Sequence, residues 1–111
     1  LHELFDRVAQ ATDGFMDDIA ERANALGGAA CGLLANSLEA SSLAPYESGL
    51  IHARSPHHLD ALIISLASFG KHVRAAIDTS DQAGDANTAD LFTGISRECD
   101  KLLWFLESHN A

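Results

Sequence analysis

Four side chains near the start of this sequence are of the kinds that hold a metal ion. His2 and Asp6 form one pair four residues apart, and Asp17 and Glu21 form another. Residues four apart on an α-helix share a face, so each pair would set two ligands side by side. One imidazole among carboxylates suits iron or manganese and is a weaker fit for zinc. His2 and Asp17 are separated by about 22 Å along a helix axis, too far to share an ion. Both pairs act together only if a second copy of the helix packs antiparallel across a twofold axis. His2 and Asp6 of one copy then face Asp17 and Glu21 of the other, giving two equivalent sites about 22 Å apart. Glu3, Gln10 and Asp13 complete the same band within roughly 100° of arc. Without a partner, such a band reads simply as the wet face of a helix.

That face needs a helix to carry it, and the first 26 residues have the pattern of one. Leu1, Leu4, Phe5, Val8, Ala11, Phe15, Ile19, Ala23 and Leu26 recur mostly at three- and four-residue steps, and Gly27-Gly28 ends the run. Gly14 interrupts it at a cost of about 1 kcal/mol relative to alanine. Residues 29–55 carry Gly32, Pro45 and Gly49 and lack sustained periodicity, with one short helical candidate at Leu34–Leu43. A connection this long can return along a bundle and make the helices on either side parallel.

A second long helix is predicted to start with Ser55 as N-cap and Pro56 in the first helical position, with Asp60 favouring the helix dipole. Its core stripe is Leu59, Leu62, Ile63, Leu66, Val73 and Ile77. Thr79–Gly84 is expected to break it. Asp85 or Asn87 then caps a third helix reaching about Glu107, with Leu91, Ile95, Cys99, Leu102, Leu103 and Leu106 on its core side. So short a break favours antiparallel packing. The fold class is therefore all-α. Three long helices could close as a three-helix bundle, but the blunt N-terminus and the crossover favour a four-helix bundle, of which this chain supplies those three plus a short helix in the crossover.

Of 111 residues, 47% are hydrophobic and 21% charged, composition fit for a globular core. Seven basic residues against 16 acidic ones give a net charge of −9. No basic run exists to replace phosphate counterions, so nucleic-acid binding through this chain is unsupported. No apolar run approaches a membrane span. The start Leu1-His2-Glu3-Leu4 has neither initiator Met nor a signal-peptide pattern, and is expected to be cut into an element already under way. Cys31 and Cys99 read as buried or partly buried free thiols in a reducing compartment. His52, His57 and His58 read as solvated, His72 and His109 as uninformative, and Trp104 and Phe105 as packing or subunit-contact residues. Neither a hydrolase elbow nor a phosphate-binding glycine loop is present.

Leu1-His2-Glu3-Leu4-Phe5-Asp6, followed by Asp17-Asp18-Ile19-Ala20-Glu21-Arg22-Ala23 and Leu26-Gly27-Gly28, resembles the second helix of Dps proteins, the ferritin-like miniferritins. Thr88-Ala89-Asp90-Leu91-Phe92, then Ser96-Arg97 and Asp100-Lys101 through Leu103-Trp104-Phe105-Leu106-Glu107, resembles their last helix. The resemblance spans nearly the whole chain as a single ferritin-like domain, residues 1–111, incomplete at its N-terminus. It implies a hollow dodecamer of twofold dimers in the bacterial cytoplasm and nucleoid. Ferrous iron would be oxidised at the dimer interface, preferably by hydrogen peroxide, with storage of ferric mineral and protection of DNA.

Carried over by resemblance, His2 and Asp6 are iron ligands from one subunit, and Asp17 and Glu21 from its partner. Asp85 and Asp90 are candidates for iron entry pores. The family's first helix, which ends in a His-Trp motif serving the same site, is expected upstream of Leu1, on a longer chain or a separate fragment. So is the Lys-rich tail by which many members hold DNA. The rival reading is a non-enzymatic helical assembly module, or a nucleoid-compacting relative without an active ferroxidase centre.

Overall fold

The computed structural model describes residues 1–44, 46 and 54–109, and it bears out the all-α architecture. Helix α1 runs His2–Ala25, α2 Leu34–Ala40, α3 Ser55–Gln82 and α4 Ala86–Ser108, with no strand among the described residues. None of these helices is long and apolar enough to cross a membrane. The chain divides into two compact units, His2–Ser42 and Leu43–Ala111, the latter taking in Leu1.

In the first unit, α1 is uninterrupted over 24 residues, Gly14 included. Glu3 in the first turn and Arg22 in the last both complement the helix dipole. Its end is set by glycine. The Gly28 N–H donates to the Ala23 carbonyl at 2.9 Å, and the Gly27 N–H to the Asn24 carbonyl at 3.0 Å. Gly27 turns left-handed at φ 92° to make this possible, a conformation that a Cβ would strain. Val8 and Phe15, two turns apart, are the buried residues of the stripe. The ends of the expected stripe do not hold: Leu1 is 41% and Leu26 58% exposed, because they lie beyond the helical residues. The crossover helix is shorter than expected and stops at Ala40.

In the second unit, α3 and α4 pack along one another as an antiparallel pair. Leu59, Leu66 and Val73 recur every seven residues on α3, while Ile95, Cys99, Leu102 and Leu106 recur at steps of four and three on α4, and all are buried. Burying a leucine or valine contributes about 1.5–3 kcal/mol, so this seam dominates the stability of the unit. Leu62, Ile63, Ile77, Leu91 and Leu103 are only half-buried.

Two expected boundaries move. The N-cap of α3 is Arg54, extended at φ −73° and ψ 158°, and Ser55 is already helical. Residues 79–82 remain in α3, and the Thr79 and Ser80 hydroxyls bond back to the preceding turn instead of ending it. Thr79 Oγ1 donates to the Ala75 carbonyl at 3.0 Å and Ser80 Oγ to that of Ala76 at 2.7 Å. The helix ends at Gln82 with Ala83 as C-cap, and Gly84 turns left-handed at φ 74°; the Gly84 N–H donates to the Asp81 carbonyl and the Asp85 N–H to that of Ser80. Asp85 then opens α4, its carboxylate accepting from the Thr88 N–H at 3.1 Å and from Thr88 Oγ1 at 2.5 Å. One residue thus closes one helix and caps the next.

Candidate metal centre

Helix α1 places the four predicted ligands as two one-turn pairs on a single exposed face. His2, Asp6, Asp17 and Glu21 are all exposed, as are Glu3, Gln10 and Asp13 between them. Because α1 is unbroken from His2 to Ala25, the separation of about 22 Å between His2 and Asp17 along its axis stands. Among the described residues, no three of His, Cys, Asp or Glu converge in a group able to hold a metal ion. Each pair therefore offers at most two protein ligands, well short of the coordination number of ferrous iron. What the chain presents is two candidate ligand pairs, open to solvent, on a chain whose net charge of −9 favours cations.

Of the pore candidates, Asp85 is half-buried and its carboxylate is engaged in capping α4, while Asp90 is exposed. The two cysteines differ. Cys99 is fully buried, and its thiol is pushed up to about 11 from 9.0, first by burial and then by Asp100 and Glu98. Cys31, expected to be at least partly buried, is exposed because the segment after α1 leaves it outside any core, and its sulfur receives the Asn36 amide at 3.0 Å.

His58 is not solvated as expected. It is half-buried, stacks on Tyr46 with ring centroids 5.8 Å apart, and its Nδ1 is hydrogen-bonded to the Tyr46 hydroxyl. Nothing in the sequence signalled that pair, since Tyr46 lies in the aperiodic crossover. His57 is exposed, and His52 lies outside the described residues. His72 and His109 each bond a carbonyl one turn back. Trp104 is 63% exposed against a tilted Phe105.

Comparison with known proteins bears on the family and the fold. The model of the ferritin-like domain matches residues 1–111. A "DNA protection during starvation protein" of Agrobacterium fabrum is 44% identical over 109 residues, covering 98% of this chain and 66% of the relative. Its namesake in Brevibacillus brevis is 30% identical over 108 residues, covering 97% and 70%. The X-ray structure of Dps from Thermosynechococcus elongatus superposes with a TM-score of 0.91 at 24% identity, covering 100% of this chain and 69% of that one. The chain thus spans about two thirds of the length of these proteins.

Proposed function

The chain belongs to the Dps family of ferritin-like proteins, and on that premise we propose that it oxidises and stores ferrous iron at sites shared between two copies. The observation that carries this reading is the order of ligands on α1. An exposed His-carboxylate pair near one end and a carboxylate pair near the other are what two antiparallel copies need to complete each other. No single copy can do so.

Iron is the substrate here, and the chain supplies ligands and a protected cleft. Asp6, Asp17 and Glu21 offer hard anionic oxygens, which favour the ferric over the ferrous ion, and His2 offers a neutral imidazole nitrogen. Hydrogen peroxide accepts one electron from each of two ferrous ions and its O–O bond breaks. With two waters this yields two FeOOH and releases four protons. Consuming both oxidising equivalents of peroxide against iron removes the source of hydroxyl radical, which is how the activity would protect DNA. The assembly proposed is a hollow dodecamer of twofold dimers in the cytoplasm. DNA contact, where it occurs, belongs to a basic segment and not to this acidic chain.

Anaerobic titration of the assembled protein with ferrous ion, followed by peroxide, tests the proposal through ferric absorbance. Saturable binding and rapid oxidation are expected, and Asp17→Ala with Glu21→Ala should abolish both. If that variant assembles and oxidises iron as before, the site assignment fails. Assembly with no oxidation in the unmodified protein would leave the chain an assembly or nucleoid-compacting module.

A further inference from the structure

On the exposed face of α1, between His2 and Glu21, Gln10 is the only polar side chain without an ionisable group. When an antiparallel copy brings position 2 to 21 and position 6 to 17, the same register brings 10 to 13. The twofold axis then passes between positions 11 and 12, with Gln10 and Asp13 about 2 Å to either side of its level. Two Asp13 carboxylates, one from each copy, meet there at levels about 4.5 Å apart. Like charges facing across a seam from which water is partly removed oppose pairing, and each carboxylate needs a donor.

The donors at that level are few. Ala9, Ala11 and Gly14 have none, and the Thr12 hydroxyl is already committed within α1, to the Val8 and Ala9 carbonyls, each at 3.0 Å. That leaves the Gln10 amide.

We propose that each Gln10 side-chain N–H donates to the partner's Asp13 carboxylate across the twofold axis, and that this reciprocal pair sets the register at which the metal ligands meet. The inference rests on the shared-site reading above and adds to it. Gln10 and Asp13 are positioning residues, not ligands. In this register Asp6 against the partner's Asp17 is the like-charged pairing left for a cation to bridge, whereas His2 meets the partner's Glu21 and Gln10 the partner's Asp13.

The test is a swap. Gln10→Glu should weaken dimer association by about tenfold or more in sedimentation velocity and lower ferrous occupancy at fixed ion concentration. Adding Asp13→Gln exchanges the two roles and should restore both, a rescue that a merely structural effect at either position would not produce. In a Cys31→Ser background with Cys99 left buried, Asp13→Cys should form a covalent dimer on mild oxidation, and Asp18→Cys, exposed away from the seam, should not. Unchanged association in Gln10→Glu, no rescue by the swap, or no cross-link at position 13 would overturn the register. In that case Asp17→Ala with Glu21→Ala would still abolish oxidation. If that double variant has no effect, the shared-site reading itself falls.

Discussion

The exposed face of α1 and the seam between α3 and α4 are both helical stripes, yet they respond to opposite demands. The seam is apolar, closed and satisfied within one chain: Cys99, Leu102 and Leu106 have no exposed surface at all. The α1 face is charged and open, and its two candidate ligand pairs stay apart, with no third His, Cys, Asp or Glu converging on either among the described residues. A residue in the seam is therefore felt as stability, and on the proposed reading a residue on the face is felt as binding. Helices of similar length and regularity can serve either purpose, and the distinction lies in whether the stripe finds its partner inside the chain.

The sharpest break in that contrast is Leu102→Ala, which removes a fully buried side chain and should destabilise the protein by about 2–5 kcal/mol in urea unfolding. Gly84→Ala comes next. A Cβ there meets no neighbour, so its cost is the left-handed backbone alone, about 1–2 kcal/mol. Asp85→Ala removes the α4 cap and should cost about 1 kcal/mol, read by the same unfolding experiment. Replacing Asp17 with Asn, on the face, should stay within about 0.5 kcal/mol of the parent while impairing ferrous binding.

A pH experiment separates the seam from the face again. Because burial raises the Cys99 pKa in the folded state, the fold holds that proton more tightly than the unfolded chain does. The resulting contribution is present below pH 9.0 and is lost as pH rises towards about 11. Cys99→Ala should flatten that decline, and Cys31→Ala should not. Thiol reagents should modify Cys31 in the native protein and reach Cys99 only on unfolding.

What was legible in the sequence divides along the same line. Periodicity announced all three long helices, since their stripes are dictated by local spacing. The stop at Gly27-Gly28 was visible in the same way, and Gly27 supplies the left-handed turn there; the second break, expected over Thr79–Gly84, narrows to its last residues, with Gly84 left-handed. The boundaries that moved lie at helix ends, where single-residue preferences decide less than the backbone does: Arg54 takes the cap expected of Ser55, and α3 runs on through Thr79 and Ser80. Thr79 and Ser80 look like helix breakers, yet each bonds a carbonyl one turn back and stays helical. The Tyr46–His58 contact joins an aperiodic segment to a helix 12 residues on, and no local pattern specifies it. At the candidate site, the spacing predicts that His2, Asp6, Asp17 and Glu21 share one exposed helical face, and α1 carries them so. On the proposed reading, the matching residues belong to a second copy of the chain, and no pattern within one sequence displays that sharing.

Subunit complementation tests that sharing most directly. One variant carries His2→Ala with Asp6→Ala, and the other Asp17→Ala with Glu21→Ala; each alone should neither bind nor oxidise iron. Co-assembled in equal amounts with random pairing, half the dimers are mixed, and each mixed dimer has one complete site and one empty one. Ferrous oxidation should then return to roughly one quarter of the parent level. Activity in either variant alone, or none in a mixture proven to contain mixed dimers, would contradict a site built from two copies.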